Sequence, residues 1–182
     1  MLIMRTYFFS FILLINIFAA ASPIPATSSS QFISSHLGTF YSPLGFKISA
    51  AGTTWLHTQP KSNPYVITEY RAPDLQNGVQ PALTLRVNHL PKKTTLKKYI
   101  KSWVKDYSKF GLKILTSKPI TVNKRLAYLV DSVNSNSQRQ MRQLIFLKDK
   151  VAVVMTCRSH VNSFKSNIES CHKIFRNFRW TL

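Results

Sequence analysis

Glycine, acid and cysteine are all scarce in this 182-residue chain, which holds five Gly, six Asp plus Glu, and two Cys. Five glycines leave little room for the glycine-rich loops that cradle nucleotide phosphates, and neither a P-loop nor a dinucleotide fingerprint is present. The six acids, Glu69, Asp74, Asp106, Asp131, Asp149 and Glu169, include no local acid pair and no metal-ligand spacing. The histidines, His36, His57, His89, His160 and His172, form no H-x-x-x-H or H-E-x-x-H run, and no G-x-S-x-G serine elbow occurs. These absences remove the enzymes whose sites are written locally. Only a site assembled from distant residues is left, with Glu69 and Asp131, the acids placed inside β-prone runs, as its candidates. No catalytic residue, cofactor site or metal site is assigned.

What is present begins with MLIMRTYFFSFILLINIFAAASP. One cation (Arg5), an apolar run from Tyr7 to Phe18 broken only by Ser10 and Asn16, and Ala19-Ala20-Ala21 make the three-part layout of a secretory signal peptide cleaved after Ala21. The run is shorter than the roughly 20 residues that span a bilayer, which argues against an uncleaved anchor. Residues 1–21 are read as a signal peptide, and the mature protein as exported, periplasmic or secreted. In an oxidising compartment Cys157 and Cys171 read as a disulfide. A zinc site would want a C-x-x-C anchor, and adjacent Cys171 and His172 point apart on a helix.

The counterpart of the missing acid is an excess of base. Lys plus Arg number 25, for a formal charge of +19 that falls by one unit when Arg5 leaves with the leader. Such a surface concentrates anionic partners and makes their binding salt-dependent. Much of the charge lies around Thr94 to Gly111, TTLKKYIKSWVKDYSKFG. Leu96, Tyr99, Ile100, Trp103, Val104, Tyr107 and Phe110 recur as one stripe of an α-helix, with Thr94 placed to cap its start and Gly111 its end. Lys92, Lys93, Lys97, Lys98, Lys101, Lys105 and Lys109 lie on the approach and off that stripe, and form the candidate basic binding face. Arg139, Arg142, Arg176 and Arg179 add smaller clusters. The partner classes are an acidic protein or an anionic envelope surface, with peripheral membrane contact included. Nucleic acid ranks lower, because stacking needs exposed aromatics among the cations. A solvated lysine face without any partner is the plain alternative.

Along the mature chain, residues 22–38 are rich in Ser, Pro, Ala and Thr and read as a flexible lead-in. A hairpin is expected around Ser42-Pro43-Leu44 with Phe46 and Ile48 facing inward, then Trp55 as a core plug. Strands follow at Tyr65 to Arg71 and at Pro81 to His89, the second with Thr84, Arg86 and Asn88 on a wet face. After the helix come Leu112 to Leu115, a turn near Ser117-Lys118-Pro119, Ile120 to Val122, Arg125 to Val133, Gln140 to Leu147, and Val151 to Cys157 after an Asp149-Lys150 turn. Short connections make these strands antiparallel, and the apolar residues at both parities of Val151 to Cys157 mark a central strand. A closing helix capped by Asn162 buries Phe164, Ile168, Cys171, Ile174, Phe175 and Phe178, so the disulfide would staple it to the sheet. The fold class is α+β: an antiparallel β-sheet covered by two amphipathic helices, an α/β/α sandwich, in one domain over residues 39–182.

The hairpin YSPLGFKI followed by Trp55, the lysine-rich helix after a strand, four antiparallel strands, and a last helix ending in FRNFRW resemble the PsbP-like superfamily. That superfamily includes the extrinsic photosystem II subunit and exported bacterial PsbP-like and DcrB-like domains of unassigned role. The resemblance runs from about Thr39 to Trp180. It implies an α/β/α sandwich and a family of mostly non-enzymatic binding or assembly factors, with no catalytic constellation and no cofactor to carry over. The cysteine pair is not a general feature of the family. The expectation is a monomeric, exported, non-catalytic binding or assembly module. The alternatives are a secreted hydrolase with a non-local site, or a secreted factor acting on a host or competitor.

Overall fold

Alternating apolar residues between turn-forming pairs build most of this chain into antiparallel strands. A computed structural model describes residues 33–34, 38–60 and 63–181. The signal peptide assigned to 1–21, most of the lead-in assigned to 22–38, and His36 lie outside the described residues. In chain order the described elements are β1 (Ile33–Ser34), β2 (Thr39–Ser42), β3 (Phe46–Ser49), β4 (Leu56–Thr58), β5 (Val66–Arg71), β6 (Ala82–His89), α1 (Leu96–Trp103), β7 (Leu112–Val122), β8 (Arg125–Asn134), β9 (Arg139–Lys148), β10 (Val151–His160), α2 (Phe164–Asn177) and β11 (Arg179–Trp180).

Seven of these strands form an antiparallel sheet in the order β4-β5-β6-β10-β9-β8-β7. β10 is its middle strand, and alternate residues of β10 enter two separate cores. Val153, Met155 and Cys157 join Phe164, Ile168, Cys171, Ile174 and Phe175 of α2 on one face. Ala152 and Val154 join Tyr99 and Ile100 of α1 on the other. A strand covered on both faces has no polar parity to offer, which is why VAVVMTC is apolar throughout. A small sheet, β1-β2-β3-β11, closes the α2 side. Phe40, Phe46 and Ile48 are buried there, and Trp180 meets Phe46 and Phe178 edge-on. Trp55 is buried in the same core.

Three local expectations are corrected. The turn placed at Ser117-Lys118-Pro119 is instead part of one strand, β7, running from Leu112 to Val122. β7 is the sheet edge, where a proline withholds no ladder hydrogen bond. A register shift between Ile114 and Thr116 reverses its facing, so Leu112 packs with α1 while Ile120 and Val122 pack with the α2 core. The chain then reverses at Asn123-Lys124, both with positive φ (51° and 63°), as a two-residue hairpin link requires.

The lysine-rich segment is likewise not one helix to Phe110. α1 starts on Thr95, whose Oγ1 accepts from the Lys98 amide at 3.3 Å, and ends at Trp103. Tyr107–Phe110 form a 3₁₀ turn closed by Gly111 at φ 70°. Three residues per turn rotate each side chain further than the α-helix does, so Tyr107 stays buried while Phe110 leaves the stripe and is 70% exposed. At the other helix, Asn162 does not cap α2. It lies in a 3₁₀ turn, Val161–Ser163, where its amide donates to His160 Nδ1, and α2 begins at Phe164.

Candidate functional site

The basic face is carried by α1, so its geometry depends on how α1 is fixed. The apolar side of the helix packs on Val130, Ile145, Ala152 and Val154. Polar anchors fix its rotation. Gln143 of β9 accepts through Oε1 from Trp103 Nε1 at 3.2 Å and from the Tyr107 hydroxyl, and its Nε2 donates to Thr156 Oγ1 at 3.1 Å. Asn88 of β6 donates to the Tyr99 hydroxyl. Arg86 lies over the rings of Tyr65 (4.7 Å) and Trp103 (5.1 Å) and donates to Asn88 Oδ1. The face of β6 expected to be wet is therefore roofed by aromatic rings at Arg86 and Asn88. Burial pushes the Tyr107 phenol up to about 12 and raises that of Tyr99, so both remain neutral hydroxyls at physiological pH.

Fixed in this way, the helix turns its lysines outward. Lys92, Lys97, Lys98, Lys101 and Lys105 are exposed and meet no carboxylate among the described residues. Lys93 lies 3.8 Å from Asp149, and Lys109 lies 2.7 Å from Asp106, both pairs in solvent. Exposed pairs of this kind contribute about 0–1 kcal/mol and leave the face strongly positive. Phe110, Ile114 and Leu115 are exposed where the face ends, an apolar margin beside Lys109 and Lys113. The helical pattern had assigned Phe110 to the core.

The two strand acids are placed apart, each against arginine. Asp131 of β8 takes a two-pronged bond from Arg142 on β9, Nε to Oδ1 and Nη2 to Oδ2, both at 2.7 Å. Arg142 Nη1 lies 2.8 Å from His172 Nε2 on α2. Burial, and then the Arg142 charge, hold the His172 imidazole below its usual pKa. A neutral ring that accepts at Nε2 carries its proton on Nδ1, which faces Glu169 at 3.6 Å. Glu69 of β5 is buried and accepts from Arg71 Nη2 at 2.8 Å and from Arg158 Nη2 of β10 at 3.1 Å. Sequence reading singled out both acids but missed the arginines that hold them. The i, i+2 spacing of Glu69 and Arg71 signals a shared strand face; Arg158 is reached only through the β5-β6-β10 register. Gln143, the acceptor that fixes α1, had no sequence signal at all.

The cysteines meet as their positions predict. Cys157 on β10 and Cys171 on α2 are bonded, with S–S 2.03 Å and Cα–Cα 6.0 Å, and both are buried. A structural disulfide of this kind belongs to an oxidising, extracytoplasmic compartment. Among the described residues no three His, Cys, Asp or Glu side chains gather as a metal site, and no helix is long and apolar enough to cross a membrane.

Comparison with known proteins decides the architecture. The solution structure of cyanobacterial PsbP (CyanoP) from Synechocystis sp. PCC 6803 superposes with a TM-score of 0.57 at 13% identity, covering 80% of this chain and 93% of that one. The chain has a PsbP-like fold. A second PsbP-like match is PA94 from Pseudomonas aeruginosa, a protein of unknown function described as a putative regulator, with a TM-score of 0.53 at 10% identity over 71% of this chain and 86% of that one. No family model and no curated protein matches the sequence. Among the described residues the PsbP-like sheet supplies the platform, while the lysines of α1 and the Cys157–Cys171 staple are this chain's own residues on it.

Proposed function

We propose that the protein is an exported, non-catalytic binding or assembly module, periplasmic or secreted, whose lysine face engages an acidic protein or an anionic envelope surface. The carrying observation is the exposure of Lys97, Lys98, Lys101 and Lys105, without carboxylate partners among the described residues, on a helix whose rotation is set by Gln143 and Asn88. Cations held on a fixed helix lose less freedom on docking than cations on a mobile loop, and they steer anionic partners over long distances. A PsbP-like fold assigns no activity by itself. The non-catalytic reading is supported by the state of Asp131 and Glu69, whose oxygens are already engaged by guanidinium groups. The monomeric reading is supported by the sheet edges. β7 is interrupted by its register shift and carries Lys118 and Pro119, and β4 is three residues long, both features that discourage edge-to-edge pairing.

Binding of the purified protein to vesicles rich in anionic lipid, and to immobilised polyglutamate, at low and high salt tests this reading. The protein should bind at least one of them at low salt and release as salt rises. A Lys97, Lys98, Lys101 and Lys105 to Glu variant should lose that binding with its unfolding midpoint unchanged. Retention of binding by the variant refutes the role of the lysine face.

A further inference from the structure

On the same face of the sheet as α1, but beyond its reach, three arginines surround a cleft of about 200 Å³. Arg71, Arg158 and Arg139 come from β5, β10 and β9, and Gln80 and the backbone at Gly78 and Val79 form the remaining wall. The register explains the hollow. Arg71 pairs with Ala82, which pairs with Arg158, so one methyl group separates two long cationic side chains on neighbouring strands. Ala82 is buried at the floor while the guanidinium groups stand at the rim.

We propose that this cleft is a binding site for a small oxyanion, a phosphate or carboxylate group on a small molecule, and that it acts independently of the lysine face. Three guanidinium groups meet one carboxylate, Glu69, which accepts a single bond from each of Arg71 and Arg158. A guanidinium carries five N–H donors in a planar fork suited to carboxylate and phosphate oxygens, so most of these donors stay uncommitted to protein. Arg71 also donates from Nη1 to Gln80 at 3.4 Å, whereas its buried Nε has no acceptor. Arg139 has no carboxylate partner among the described residues. Glu69 orients two of the forks without balancing all three charges.

The walls are held in place from the opposite face of the sheet. The loop bearing Gly78 turns through Asn77-Gly78, both at positive φ, with Gln76 and Val79 bridged to each other. Gln76 Oε1 accepts from Asn167 Nδ2 of α2 at 2.6 Å. Gln80 Nε2 donates to the Ala72 carbonyl at 3.0 Å. Arg158 directly follows Cys157, whose disulfide ties β10 to α2. A cleft set by these bonds before a ligand arrives requires little ordering on binding.

Calorimetric titration of the purified protein with inorganic phosphate and with succinate, at low salt, tests the site. The expected result is saturable one-site binding of at least one probe, and the probe that binds identifies phosphate or carboxylate as the recognised group. Arg139→Gln should weaken binding about tenfold or more, since a hydrogen bond to a charged group is lost. Arg158→Lys keeps a cation beside Glu69 but removes the fork, and should weaken binding similarly. The Lys97, Lys98, Lys101 and Lys105 to Glu variant should leave it unchanged. No saturable binding of either probe overturns the proposal, as does binding that survives Arg139→Gln and disappears with the lysines. If Arg158→Lys fails to fold, Arg139→Gln decides alone, because Arg139 is exposed and supports no ion pair among the described residues.

Discussion

Reduction of the Cys157–Cys171 bond should cost this domain about 3 kcal/mol. The bond closes a chain segment with a sequence separation of 14, and loop-closure entropy for a loop of that size gives this magnitude. The reduced thiols still fill the space of the buried sulfurs, so comparing oxidised and reduced protein isolates the cross-link from the packing. The Cys157→Ala, Cys171→Ala double variant loses both, and should fall a further ~1–2 kcal/mol below the reduced protein through the voids left at two fully buried positions. Urea unfolding monitored by far-UV circular dichroism, with and without reductant, gives these differences directly. For a domain of this length 3 kcal/mol corresponds to a loss of roughly 6–12 °C in Tm. Because both sulfurs are buried, reductant should also fail to open the bond in the native protein and act only as the domain unfolds. Equal stability of the oxidised and reduced forms, or fast reduction under native conditions, would refute the staple and the position of α2 that depends on it.

Gln143→Leu should destabilise by about 2–4 kcal/mol, because Trp103 Nε1 and the Tyr107 hydroxyl lose their acceptor beneath α1; a change below half a unit in chemical denaturation contradicts its role in fixing the helix. Stability should be fully present above about pH 6.5 and fall as pH drops below it. Burial holds His57 and His172 below their ordinary pKa, so the unfolded chain takes up protons first. His57 sits between the rings of Phe40 and Tyr70 with Nε2 at 2.7 Å from Thr68 Oγ1, and His57→Gln should flatten the slope of the urea midpoint between pH 6.5 and 5. An unchanged slope would remove His57 as a cause.

The legible parts of the fold were those governed by one local period. Val151 to Cys157 could be recognised as a central strand because a strand covered on both faces is apolar at both parities. The α2 stripe, from Phe164 to Phe178, could be recognised because 3.6-residue spacing assigns one side of a helix to the core. Both cysteines fell on apolar faces of consecutive elements, so their pairing followed. Phe110 was misassigned because a change from α to 3₁₀ geometry leaves no mark in the spacing. Pro119 was misread as a turn because its tolerance depends on β7 being an edge, which is a property of sheet order.

The candidate sites divide in the same way. The lysines of the α1 segment could be grouped from the sequence alone, since they share one short helix and its approach. The arginine cleft could not: Glu69 and Arg158 are 89 residues apart, and only the β5-β6-β10 register places them on one face. Gln143 was equally silent, because a glutamine in a strand has no distinguishing pattern until Trp103 and Tyr107 point at it. Sequence alone therefore determined the strongly positive charge, the two amphipathic helices, the antiparallel character of the strands and the cysteine pairing, all set by neighbours within a few turns or one hairpin. Tertiary structure alone decided which arginines meet each carboxylate, where the aromatic roof covers the sheet and where a cleft remains open, because these depend on strand order and register across the whole chain.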